Sequence, residues 1–416
     1  MQNLKKIYDL NTKYILGSNN NYLKTLRNDL IKNFEINNQI IKNNESIRYI
    51  DPSVLKNISF KIEEDVSNYQ NLKKENQDPS INVNGGLNYE LINIDNNQID
   101  FNTLKSNLDL LIRNSKNNNN SFNQDYIANL NSILLNSGFI IKIKKDNNIK
   151  LLLNHKNSNI NNTLFTKNFF EIKKNSKLIL IESFINNFSS NSNIINFFEL
   201  ENNSEVFHFV IQNNVSESKL QFTTYSNCQN NSKFHQMIFN CSETSGRNHH
   251  YVNLLGQNSE ANLKGLFFAG KHQIIDNKTE INHLSDNCYS NQMYKGILTD
   301  NAKASYLSKT FVDKIAQKTD GYQLSKGILL SDSAFFHSKP ELKIYADDVK
   351  CSHGSTIGPF DKDIIYYLRS RGLNENKAKS ILIDSFCQDL LSDIKEDQYI
   401  NNINNFINKW LLQHVV

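Results

Sequence analysis

Apolar and polar positions follow two different periods along this 416-residue chain, and the change of period divides it. In residues 1–137 the apolar positions recur at helical spacing: Leu23, Leu26, Leu30 and Phe34; Leu104, Leu108 and Leu111; then Phe122, Tyr126, Leu130, Ile133 and Leu134. Residues three and four apart share one helix face, so these sets predict amphipathic helices joined by polar linkers. Gly138 reads as the C-cap of the last one. The stretch 64–98, rich in Asn, Asp and Lys and holding Pro79 and Gly85-Gly86, reads as loop. From Phe139 the pattern becomes extended. Apolar runs at 139–143, 149–153, 178–181, 206–210, 263–268 and 327–330 predict short strands.

Between the strands lie Asn175-Ser176, Asn202-Asn203, Gln257-Asn258, Asp276-Asn277, Asp300-Asn301 and Ser331-Asp332. They recur at roughly 20–30 residues, the repeat length of a solenoid, and Asn and Asp accept the backbone geometry a corner requires. A parallel β-helix over residues 138–359 follows, its coils stacked on one continuous core. A β-sandwich is the alternative, disfavoured because Asn-Gly hairpin turns are missing from this region.

From Phe360 the helical period returns over residues 360–416. Asp361 reads as an N-cap, Ile364 and Leu368 face one way, and Gly372 stops the helix. Asn374 caps a second helix carrying Ala378, Ile381, Leu382, Phe386 and Leu390; Ile400, Ile403, Ile407, Trp410 and Leu411 stripe a third. This helical group would cap the solenoid end or present a face to a partner, and the pattern favours the cap. The fold class is therefore mainly β, a parallel β-helix between N-terminal and C-terminal helical regions.

Charge is nearly balanced, 46 Lys and Arg against 42 Asp and Glu, with no long basic block, which argues against nucleic acid as a partner. No run approaches the ~18 apolar residues of a membrane helix, and the first residues lack the apolar segment of a signal peptide. Cys228, Cys241, Cys288, Cys351 and Cys387 are odd in number and scattered, which suggests a reducing compartment. The expected location is the cytoplasm, with an organellar stroma as the alternative. The phosphate loop, the dinucleotide fingerprint, the nucleophile elbow and the His-Glu-x-x-His helix are all missing, so neither a directly bound nucleotide nor enzymatic activity is expected.

Candidate chemistry concentrates in the stretch 339–354, read as one extended segment ending in Cys351-Ser352-His353-Gly354. A thiol and an imidazole two residues apart on a strand share a face and suit a soft metal. The residues alone leave two readings open, metal ligation or a buried Cys beside a hydrogen-bonded His, and favour the second. His249-His250 and His283 read as satisfied or surface histidines, and Lys295 and Lys318 as solvated residues near coil corners.

The ordered series 122–143, Asn253-Leu254-Leu255-Gly256, Gly265-Leu266, Asp276 with His283, Tyr294-Lys295-Gly296-Ile297-Leu298, Ala316-Gln317-Lys318-Thr319-Asp320, Gln323, Leu329-Leu330-Ser331, 339–354 and Tyr367-Leu368-Arg369-Ser370-Arg371-Gly372 resembles the SufB/SufD family of iron-sulfur cluster assembly proteins, on its SufD side. The segment before Phe101 contributes little. The resemblance implies a right-handed parallel β-helix that pairs with a SufB-like paralogue, and C-terminal helices that dock a SufC-like ATPase. It implies His353 as a ligand of a transient iron-sulfur cluster at the shared interface, with Cys351 beside it. It places Tyr367, Leu368, Arg369, Arg371, Gly372 and Phe386 at the partner-binding surface. SufB-like chains would carry a cysteine after Gln323 and a glutamate after His353; Leu324 and Gly354 stand there instead, implying a half-site. A proline expected between His283 and Ser290 is missing. Flavin binding has no motif support. Outside the family, a secreted polysaccharide lyase would need a signal peptide and a clustered acidic or Arg-bearing groove, while a structural or carbohydrate-binding solenoid would have no cluster role.

Overall fold

The computed structural model describes residues 4–37, 70–74, 77–84, 88–111, 125–156, 163–185, 191–213, 219–391 and 397–414. The N-terminal part holds helices α1 (Leu4–Asn11), α2 (Asn21–Asn37) and α3 (Tyr126–Leu134) and strands β1 (Gln70–Leu72), β2 (Ser80–Asn84), β3 (Asn88–Ile92) and β4 (Ile99–Thr103). The Asp125 carboxylate caps α3 by accepting from the backbone N–H of Ile127 and Ala128 at 3.0 and 3.1 Å. Two expectations fail here. The stretch 64–98 contains β1–β3: β2 and β3 pair antiparallel, and β2 continues the solenoid sheet in parallel beside residues 152–156. Gly138 lies inside a strand, where an added Cβ would sit 2.0 Å from the Lys167 carbonyl oxygen; it admits a close strand neighbour and ends no helix. Leu104 lies in a 3₁₀ turn (Leu104–Ser106), and Phe122 falls outside the described residues.

Strands β5 (Ser137–Ile143), β6 (Asn148–Lys156), β7 (Thr163–Ile172), β8 (Lys177–Ile185), β9 (Asn191–Leu200), β10 (Glu205–Asn213), β11 (Leu220–Cys228) and β12 (Lys233–Asn240) begin the solenoid. β13 (Gly246–Leu254), β14 (Glu260–Ala269), β15 (Ile274–His283), β16 (Tyr289–Leu298), β17 (Lys303–Val312), β18 (Thr319–Leu329), β19 (Phe335–Ile344) and β20 (Val349–Gly358) complete its roughly seven turns. Even-numbered strands from β6 to β20 pair in parallel in one sheet, and odd-numbered strands from β5 to β19 in the other. Inward side chains such as Phe139, Phe170, Phe198, Leu151, Leu178 and Leu180 fill the first coils, with Phe170 and Phe198 stacked at 4.5 Å.

The corners explain the asparagine content. Asp146, Asn175, Asn203, Asn231, Asn258, Asn287 and Lys318 each have φ between 54° and 61° at the turn from an odd to the next even strand. Asn and Asp tolerate this left-handed conformation best among residues with a Cβ. Four of these Asn Nδ2 groups donate to the corner below: Asn175 to Asp146 (2.8 Å), Asn203 to Asn175 (3.0 Å), Asn231 to Asn203 (3.1 Å) and Asn258 to Asn231 (3.2 Å). Asp300 forms a corner on the opposite side, as its neighbours suggest. Asp276-Asn277 does not: both residues are buried inside β15, where Asp276 binds His249 and Ser305.

Helices α4 (Lys362–Ser370), α5 (Glu375–Leu391) and α6 (Asp397–His414) follow β20, with Asp361 and Asn374 capping α4 and α5 as expected. They do not cap the solenoid end. Ile383, Cys387, Leu390, Ile403, Ile407 and Trp410 pack sideways on Ile181, Ile211, Phe239, Leu266 and Phe268, the outer face of the even sheet, with Trp410 5.0 Å from Phe268. The physical reason lies in the even strands, which are apolar on both faces here and need a second cover. On the opposite sheet, Leu23, Leu104 and Ala128 cover Phe169, Ile195 and Phe197.

Candidate functional site

The stretch 339–354 is two strands in two different sheets, β19 and β20, joined by a corner at 345–348. The alternation across that corner hid the break. β19 and β20 are the terminal strands of their sheets, so each has one edge without a strand partner among the described residues. β20 pairs only with β18, placing Cys351 beside Gly321 and His353 beside Gln323.

Register carries this face into the core. Gln236, Leu263, Gln292, Gln323 and His353 form one column on successive even strands. Gln292 and Gln323 point inward, each donating from Nε2 to the Thr310 hydroxyl at 2.9 and 2.8 Å. Gln323 also donates to the Glu341 carbonyl at 3.2 Å, while its Oε1 accepts from Ser308 at 3.3 Å. His353 stands at the top of this column, exposed because no further coil covers it among the described residues. Cys351 lies two residues earlier on the same face, half-buried against Val312, Ala316 and Ala346. Burial pushes its thiol above the ordinary value, the Gly321 backbone bond opposes this, and the Asp320 carboxylate adds to it. Ligation by Cys351 would therefore require a proton to leave.

Among the described residues no group of three or more His, Cys, Asp or Glu side chains is placed to hold a metal ion. His353 and Cys351 offer two donors, short of the four that an iron-sulfur cluster takes. All five cysteines are free, and Cys228, Cys241, Cys288 and Cys387 are buried with thiols pushed up by that burial.

Other singled-out residues separate clearly. His249 faces outward from β13 but is buried, bonded to Asp276 at 2.9 Å and to Arg247, which pairs with Asp125 at 2.6 Å. His283 bonds Ser290 at 2.8 Å. His250 points inward, with no partner at either ring nitrogen. Lys318 is an exposed corner residue, as its position suggests. Lys295 is not solvated: its ammonium is buried, donates to the Phe386 carbonyl at 2.7 Å, pairs with Asp389 and lies 4.6 Å from the Phe386 ring. It fastens α5 to β16.

None of the residues of α4 is buried, and Ile364, Tyr366 and Tyr367 are 46%, 75% and 55% exposed. Leu368 is half-buried, Arg369 pairs with Glu375 at 3.6 Å, Arg371 lies 5.2 Å from the Tyr367 ring, and Gly372 ends the helix at φ 90°. Phe386 faces the solenoid. The sequence did not reveal Glu182, fully buried and bonded to His155 (2.7 Å), His208 (2.8 Å) and Asn196 (2.7 Å); a single Glu after four apolar residues gave no signal.

Comparison with known proteins matches residues 153–386, from β6 into α5, to the family model of the SUF system FeS cluster assembly SufBD core domain. The iron-sulfur cluster assembly protein SufD of Escherichia coli is 37% identical over 144 residues, 35% of this chain and 34% of the relative. A SufBD family protein of Synechocystis is 45% identical over 105 residues, 25% of this chain and 23% of the relative. The chloroplastic protein ABCI7 of Arabidopsis thaliana is 29% identical over 163 residues, 39% of this chain and 34% of the relative. Each match thus spans about a third of the relative's length or less. Because the family model covers more than half of the chain, this chain belongs to the SufB/SufD family of iron-sulfur cluster assembly proteins and is SufD-like.

Proposed function

We propose that this chain is the SufD-like subunit of an iron-sulfur cluster assembly complex, paired with a SufB-like paralogue through its terminal coil and docked to a SufC-like ATPase through its C-terminal helices. The observation that carries the reading is the placement of His353, an exposed imidazole at the top of an inward column on a coil with two unpaired sheet edges. Such edges accept a further coil by main-chain hydrogen bonding. A paralogue seated there would bring its own ligands opposite His353 and Cys351, completing a set that this chain supplies only in part.

The exposed apolar face of α4, with Tyr366 and Tyr367, supports a docking role for Tyr367, Leu368, Arg369, Arg371 and Gly372. Phe386 would act one step back, as the ring on which Lys295 holds α5. Closure of an ATPase pair would push on α4 and α5, and the α5–β16 link would pass that displacement to the sheet that ends in β20. This chain binds no nucleotide itself and catalyses no covalent step; iron and sulfur are the material assembled. It works away from membranes and nucleic acid, in cytoplasm or stroma; no described helix is long and apolar enough to cross a bilayer.

The test is co-expression with SufB-like and SufC-like subunits, followed by size-exclusion chromatography and anaerobic reconstitution read by visible absorbance. His353→Ala should leave the complex intact and remove most of the cluster absorbance. An intact complex with full cluster absorbance would reduce this chain to scaffolding, and a chain that joins no complex would refute the assignment.

A further inference from the structure

The polar groups inside the solenoid form two hydrogen-bonded files. The lower one runs His155–Glu182–His208–Gln236–Thr224: Glu182 binds both imidazoles, and Gln236 Nε2 donates to His208 Nδ1 at 2.9 Å and to the Thr224 hydroxyl at 3.0 Å. The upper one runs from Tyr306 and Thr279 (2.9 Å) through Gln292 and Thr310 to Gln323, the residue beneath His353. They are separated by one coil, β13 with β14. There the column of Gln236 and Gln292 is interrupted by Leu263, and the column of Thr224 and Thr279 is continued by His250.

His250 is fully buried, and neither ring nitrogen has a partner. Around it on flanking strands, Ser226 Oγ, Gln236 Oε1 and Asn277 Nδ2 are also buried and unpartnered. Asn277 pairs with Asn248 and Ser226 with Val252, two residues to either side of His250, while Gln236 reaches across from the opposite sheet to Thr224, the register neighbour of His250. Burial, with His249, His208 and Arg247 nearby, holds the His250 imidazole well below its ordinary value, so it is neutral, with one N–H and one bare nitrogen. The local set is therefore mixed: Asn277 and one His250 nitrogen donate, Gln236 and the other nitrogen accept, and Ser226 does either. An anion would face the Gln236 oxygen and a cation the Asn277 amide. A small neutral molecule that both donates and accepts can pair with a His250 nitrogen and with an unpartnered group on either side of it.

We propose that the β13–β14 coil holds a buried water site centred on His250, and that this water joins the two files into one hydrogen-bonded line from Glu182 to Gln323. The ligand class follows from the donor and acceptor tally, and the position from the break between the files.

The test uses the full chain alone, so it is independent of the assembly reading. A high-resolution crystal structure should show ordered water within hydrogen-bond distance of a His250 ring nitrogen, and water-selective NMR should give a slow-exchange cross-peak to the His250 ring. Ring nitrogens contacting only protein atoms, with no water cross-peak, would overturn the proposal. His250→Phe gives a second reading of opposite sign. With water present, the substitution strands Gln236 and Asn277 and lowers Tm; in a dry core it removes two unpartnered nitrogens and raises Tm, which would also overturn the site.

Discussion

Glu182 shows how a charge survives in a β-solenoid core. Burial alone pushes its carboxyl up, but the hydrogen bonds from His155 and His208 outweigh that and hold it at about 2, down from an ordinary 4.5. A carboxylate depressed in the folded state contributes its stability in full above the unfolded value and loses it as pH falls towards the folded one. At about 1.4 kcal/mol per pH unit the window between 4.5 and 2 corresponds to on the order of 3 kcal/mol. Thermal unfolding should therefore show wild-type Tm dropping across that window, while Glu182→Gln starts lower at pH 7 and changes less; parallel curves would mean the carboxylate contributes nothing. Single residues were unevenly legible in the sequence. His353 could be singled out as a candidate because its signal is local, a thiol, an imidazole and a glycine in four positions. Lys295 was not legible, since its partner Asp389 lies 94 residues away and only the fold brings them together.

The corner asparagines repeat a two-residue signature, Asn175-Ser176, Asn203-Ser204, Asn231-Ser232 and Asn258-Ser259, in which the Asn takes the left-handed turn. In three of these pairs the Ser hydroxyl closes the turn: Ser204 to Glu201, Ser232 to Gln229 and Ser259 to Gly256, each 2.6–2.7 Å from its carbonyl. Two substitutions separate the contributions. Asn231→Ala loses both ladder bonds and strains φ, whereas Asn231→Gly loses the bonds but relaxes the backbone, so the alanine variant should be the less stable by about 1 kcal/mol in chemical unfolding. Equal losses would assign everything to the amide. Among the helices, Trp410 is 5% exposed, and Trp410→Ala should cost about 3–5 kcal/mol of local packing. Amide exchange should quicken in α5 and α6 while the inner strands keep their protection; uniform loss would mean that helices and solenoid unfold together. The stripe on α6 was legible, but a stripe states only that a face is covered, not by what. The covering sheet was also written in the chain, as adjacent apolar residues such as Val210-Ile211, Ile238-Phe239 and Phe267-Phe268 that bury both faces of one strand. Strands β1–β4 were obscured because they are short and rich in polar residues, which weakens both periodic signals.

At the scale of the molecule, helices cover the two sheets on opposite sides and, among the described residues, leave the terminal coil and α4 bare. Surface changes on α4 should then separate folding from assembly: Tyr366→Ala with Tyr367→Ala should leave Tm within about 1 °C, as isolated exposed substitutions do, yet reduce co-purification with the ATPase. Retained co-purification would move the docking surface elsewhere. Two-sheet stacking was legible in the recurrence of corners, while the sideways seat of the helices was not, because it depends on which outer faces remain uncovered once the coils have stacked. The asparagine ladder adds a property of its own. Every amide in it donates towards the N-terminus, and the line ends on the Asp146 carboxylate, which accepts but cannot donate. At the far end it stops short of β20, where Asn287 turns its amide to Asp286 and Lys318 takes the next corner. The ladder is thus a vector with a sink and a blunt tip, and two identical molecules placed tip to tip would set their ladders in opposition, so this line of hydrogen bonds would not run on across such a contact.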